Sequence, residues 1–100
     1  MASYITRFRF AEGSPFPPQL VPMELTKGEA RHTQTKLLAY WFTSGARDLV
    51  AVWDAVSELA VHAIVAEVTR YGGITAETGC MLSDDELAQR GLARQHRALG

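Results

Sequence analysis

Cysteine is almost absent: Cys80 is the only one in 100 residues, so no intrachain disulfide can form. A chain without that constraint suits a reducing, cytoplasmic compartment. An excess of charge is also missing. The net charge of −1 supplies no bulk attraction to nucleic acid or to an anionic membrane. An uninterrupted apolar run is missing too. Residues 49–68 are long enough to span a bilayer, but Asp54, Glu58 and Glu67 break the stretch. Each such charge costs about 2.5–3.5 kcal/mol near a bilayer centre. The N-terminal MASYITRFRF has no apolar signal core. No Walker loop, dinucleotide fingerprint, Cys-x-x-Cys pair or serine-nucleophile elbow occurs. These gaps favour a non-enzymatic protein with no catalytic residues, no metal and no cofactor.

What is present suggests one mainly α domain over residues 1–100. Residues 3–10 alternate, with Tyr4, Thr6, Phe8 and Phe10 on one face and Ile5, Arg7 and Arg9 on the other. That period of two predicts a β-strand within 1–10. A lone strand needs a partner for its backbone groups. Residues 74–82, residues 19–23 or a second subunit can each supply one. Pro15, Pro17, Pro18 and Pro22 then predict a Pro-rich linker over 11–25. It reads as a strap packing Phe16, Leu20, Val21 and Met23 onto helices, rather than as a Pro-x-x-Pro recognition motif.

Three helices are expected after the strap. Thr26-Lys27-Gly28-Glu29 has a capping-box pattern and opens a helix over 26–43. Ser44 can cap a second, long helix over 46–71, which Gly72-Gly73 ends with Ile74 folding back over Val68. Ser83 to Glu86 is a second capping box, with Leu82 and Leu87 as its hydrophobic staple, and starts a short helix over 84–98.

The long helix carries the functional argument. It would extend about 39 Å, and its apolar residues spread well beyond the arc of a little over about 100° that a surface helix needs. The excess predicts an interface, formed with a second copy or with another protein. Leu49, Trp53, Val56, Ala60 and Ile64 lie on that arc; Tyr40, Trp41 and Phe42, with Trp53, read either as core or as interface, since their ring area is of the kind that dominates binding hot spots. Glu67 lies inside the arc, so either a cation meets it (Arg70, Arg90, Arg94 or one from a partner) or that part of the arc is less buried than its neighbours. Asp54, Glu58 and His62 stack at i, i+4 and i+8 and read as a solvated face with a Glu58–His62 pair, since one helix seldom completes a metal shell. Cys80 has no neighbouring His or Lys to activate it.

Two other classes compete with this reading. A helix-turn-helix DNA-binding regulator would use residues 26–71, but its recognition helix should expose basic and amide groups, and this one is apolar with three acids. A small enzyme subunit lacks a convergent catalytic set. The layout, with stretches such as LLAYWF and DLVAVWDAVSELAVHAIVAEV, resembles small bacterial anti-activators of quorum sensing. That resemblance implies a regulator that sequesters a LuxR-type transcription regulator or blocks its dimerisation. The expectation is therefore a helical, homodimeric inhibitor of another protein.

Overall fold

A computed structural model describes residues 2–43 and 47–81. The chain is not mainly α. It runs β1 (Ala2–Phe10), α1 (Val21–Arg31), β2 (Thr35–Phe42), β3 (Asp48–Ala55), α2 (Glu58–Thr69) and β4 (Ile74–Cys80), with a 3-10 turn at Pro18–Leu20 leading into α1. The strands form one antiparallel sheet in the order β2-β3-β1-β4. β1 and β2 therefore run the same way with β3 between them, and β3 and β4 run the same way with β1 between them. Each helix is the crossover of one split β-α-β unit.

The N-terminal strand is where the alternation places it, and it is central. Its partners are β3, with Phe8 opposite Leu49, and β4, with Phe8 opposite Ala76. Residues 74–80 are thus one of the expected partners, and β3 is a partner that sequence reasoning missed.

Both long helices expected from the sequence are corrected. Residues 35–42 of the expected 26–43 helix are strand, and so are residues 48–55 of the expected 46–71 helix. The physical reason is that the two strands carry apolar residues on both faces. In β3, Leu49, Ala51, Trp53 and Ala55 point to the core while Val50 and Val52 point away, so no polar alternation marks the strand. β2 adds a bulge between Leu37 and Ala39 that breaks its period. The change to α2 needs no Gly or Pro: Ser57 is extended, and its hydroxyl accepts from the Ala60 amide as an N-cap.

The Pro-rich strap over 11–25 is also corrected, because α1 starts inside it at Val21. Pro22 sits in the first turn, where a missing N–H costs nothing. Thr26 is consequently no N-cap. Its hydroxyl donates to the Pro22 carbonyl within the helix. The Glu29 carboxylate instead accepts from the Leu37 amide at the start of β2. The predicted stop at Gly72-Gly73 stands, with both residues at positive φ (83° and 70°) after the last turn of α2. The 84–98 helix, the Leu82/Leu87 staple and the Ser44 cap lie outside the described residues.

Both helices cover one face of the sheet. Tyr4 and Phe8 of β1, with Leu49, Ala51, Trp53 and Ala55 of β3, meet Val21 and Leu25 of α1 and Val61, Ile64 and Val68 of α2 in one buried cluster. Gly28 lets the helices approach: a Cβ there would lie 2.6 Å from Ile64 Cγ2. Inside, the Trp53 indole N–H donates to Thr6 Oγ1 at 3.1 Å, and Thr6 and Thr78 share a second hydrogen bond at 2.9 Å. The ring is thereby oriented without leaving a buried donor unpaired.

Candidate binding face

The opposite face of the sheet is covered by no described element. Strand pairing puts its side chains in four rows across the strands. Lys36, Asp54 and Ser3 form a polar row. Next comes an apolar row of Ala39, Val52, Ile5 and Gly79. The third row is Trp41, Val50, Arg7 and Glu77, apolar at the β2 end and charged at the β4 end. Asp48, Arg9 and Thr75 close the face. Trp41 is 48% exposed and Ile5 36%, while Val50 and Val52 are half-buried by their neighbours alone.

The charged groups on this face are partly ordered. Arg7 makes two contacts with Asp48 Oδ2, from Nε at 2.9 Å and from the terminal nitrogen at 2.7 Å. Arg9 Nε lies 3.8 Å from the same oxygen and the side chain is 65% exposed. Glu77 stands opposite Arg7 in the register but has no ion pair among the described residues. Three cations (Arg7, Arg9, Lys36) and three acids (Asp48, Asp54, Glu77) make the face neutral as a whole. Between β3 and β4 there is a depression of about 460 Å³, with Ile5, Val50 and Gly79 as its apolar part and Arg7 and Glu77 at its charged part. Gly79 opens it, since an added Cβ would meet nothing within 4 Å.

The residues expected at an interface are divided between the two faces. Leu49, Trp53 and Ile64 are fully buried beneath the helices and form the core. Phe42 packs against that core, and Ala60 does so from α2. Tyr40, opposite Ala51, lies at the β2 edge of the helix side and is 48% exposed. Val56, just past β3, is 53% exposed. Trp41 alone of the set belongs to the bare face. Ile5, Val50, Val52 and Gly79 were missed as site residues. The alternation of SYITRFRF already placed Ile5 on the face away from Tyr4 and Phe8, which was the available signal.

Glu67 has the cationic company expected of it, from different residues. It lies on α2 between Arg31 and His32, where α1 ends, and not against Arg70; Arg90 and Arg94 lie outside the described residues. The His32 Nε2–H donates to one carboxylate oxygen at 2.8 Å, and the Arg31 guanidinium pairs with the other. Those two hydrogen bonds, His32 first, hold the Glu67 carboxyl below the usual carboxylate range. Asp54 is in β3 and so does not stack with Glu58 and His62. The latter two approach to 3.6 Å on exposed α2. No group of three or more His, Cys, Asp or Glu residues able to hold a metal occurs among the described residues. None of the described helices is long and apolar enough to cross a membrane.

The topology and the bare face define a ferredoxin-like α+β domain. Solved structures agree on this class. The C-terminal domain of the MgtC protein from Mycobacterium tuberculosis superposes with a TM-score of 0.62 at 14% identity, over 81% of this chain and 88% of that one. A de novo designed protein with a ferredoxin fold gives 0.54 at 9% identity, over 83% and 88%. SnoaB, a cofactor-independent oxygenase from Streptomyces nogalater, gives 0.52 at 13% identity, over 82% and 91%. At such identities the likeness is one of fold. No family model matches the chain, and no curated protein matches it.

Proposed function

We propose that the chain is a non-enzymatic regulatory domain that works by binding protein through the bare face of its sheet. The observation that carries this reading is the apolar row Ala39–Val52–Ile5–Gly79, continued by Trp41 and Val50 and left in water by every described element. A contiguous apolar patch rimmed by charge is a surface built for contact. Its aromatic residue sits near one edge and its charges are of both signs, which suits a protein partner better than a polyanion or a lipid surface. A domain of this kind acts as an inhibitor or anti-activator when the surface it occupies is the one by which its partner, such as a transcription regulator, would itself assemble. The helix-turn-helix alternative has lost its physical basis, since residues 35–42 and 48–55 are strands.

Site-specific photo-crosslinking in the native cell tests this. A benzophenone side chain at Val52 should trap a polypeptide. The same group at Leu59, which is 77% exposed on α2, should trap little. Crosslinking from Leu59 alone, or from neither position, would sink the proposal.

A further inference from the structure

We infer that the first partner of this face is a second copy of the chain, docked sheet to sheet about a two-fold axis that runs along the strands between β1 and β3. This identification rests on the bare face being the working surface. The axis follows from the distribution of bulk and space. The face has an exposed ring, Trp41, on outer strand β2, and its depression lies over β1, from Val50 on β3 to Glu77 and Gly79 on outer strand β4. A two-fold parallel to the strands at the sheet's centre exchanges β2 with β4 and β3 with β1 while leaving each row level with itself. Trp41 of each copy then sits over the partner's Gly79 and Glu77. Each ring thereby packs on the β4 margin of the partner's depression.

The rest of the face fits the same operation. In the apolar row Val52 meets the partner's Ile5, and Ala39 meets the partner's Gly79. In the third row Val50 lies on the aliphatic stem of the partner's Arg7. In the last row Asp48 faces the partner's Arg9, the cation that its own copy holds only at 3.8 Å. No like charges are brought opposite each other. The alternative two-fold, perpendicular to the strands, reverses the order of the rows and sets Asp54 against the partner's Asp48. Charge therefore selects between the two axes.

The size is adequate and modest. Four strands spaced about 4.8 Å apart, each about 26 Å long, present about 500 Å² per copy before side-chain relief. The pair buries about 1,000 Å², at the lower limit for a specific interface. The dimer should therefore dissociate on dilution through the micromolar range, exposing Trp41 again.

Sedimentation velocity from about 1 to 200 μM tests the inference, with circular dichroism as the check on folding. The wild-type chain should pass from monomer to dimer, and the fluorescence of Trp41 should shift to the red on dilution; Trp53 is buried throughout. Gly79→Trp fills the β4 margin of the depression at a position where a side chain meets nothing in the monomer. It should raise the dimer dissociation constant at least about 100-fold with the monomer folded. Val52→Lys should do the same. A dimer that persists in both variants uses another surface and overturns the inference. A strict monomer at 200 μM overturns it as well. If that monomer still crosslinks a foreign polypeptide from Val52, only the identity of the partner fails and the functional reading survives.

Discussion

The two faces of the sheet are made of similar residues and have opposite fates. Toward the helices, Phe8, Leu49 and Trp53 are fully buried, and the Trp53 indole N–H is paired with Thr6. Away from the helices, Ile5, Val50, Val52 and Trp41 have a comparable apolar character and no described cover. What separates the faces is the placing of charge. The buried face carries none on β1 or β3, whereas the bare face mixes Arg7, Arg9, Asp48 and Asp54 among its apolar groups. Those charges hydrate the bare face and, in the binding role proposed above, would give it a way to choose its partner.

The largest effects should follow from breaking the covered face. Trp53→Ala should cost about 3–5 kcal/mol in denaturant unfolding, from the buried ring and the cavity left behind. It also leaves Thr6 without the indole donor. Gly28→Ala comes next. The added methyl would lie 2.6 Å from Ile64 Cγ2, a branch that is stiff at χ1 and fully buried. Overpacking costs about 1–3 kcal/mol, and the gain in helix propensity, about 1 kcal/mol, offsets only part of it. Ile64→Leu in the same chain removes that branch and should restore part of the loss; no recovery would show that the close approach is not the cause. Thr35→Val should go the other way. Thr35 Oγ1 is buried with no hydrogen-bond partner among the described residues, so replacing the hydroxyl by a methyl should raise the unfolding free energy by about 1 kcal/mol.

How much of this was legible follows from the same contrast. SYITRFRF has one wet face in the sequence because β1 carries charge on alternate residues, and it was read correctly. DLVAVWDA and TKLLAYWF read as helix in the sequence because their outer faces are apolar as well, which is the property on which the proposed binding surface rests. Gly72-Gly73 was legible as a stop, since a left-handed pair is what glycine supplies. The start of α1 was hidden by Pro22, which is a breaker in most positions and harmless in a first turn. The ion pairs of Glu67 were expected, but Arg31 and His32 could not be named without knowing that α1 ends beside α2.

Glu67 provides a smaller effect, set by pH. Its carboxyl ionises below the ordinary range because His32 and Arg31 bond to the charged form. A depressed native pKa stabilises the fold at pH values above the unfolded carboxylate's pKa, and that stability is lost as pH falls through the depressed value. Glu67→Gln should therefore lower the unfolding midpoint at pH 6–7, and the two curves should converge in strong acid. A difference that stays constant from pH 7 to pH 2 would assign the effect to packing instead.

The smallest effect on stability should be the most informative about the bare face. Val52→Thr keeps a β-branched side chain of nearly the same shape in the centre of the apolar row, at a half-buried position of the monomer. The hydroxyl stays hydrated there, so monomer stability should change by less than about 1 kcal/mol. Self-association should nevertheless weaken, because in the dimer the same hydroxyl is pressed against the partner's Ile5 with no acceptor in the row. Urea unfolding at 1 μM and sedimentation at 100 μM measure the two separately. A variant that loses stability and assembly in proportion would mean that Val52 belongs to the core, and that the difference between the faces is smaller than their charges suggest. A variant that keeps the first and loses the second assigns Val52 to a surface whose apolar groups serve association and not folding.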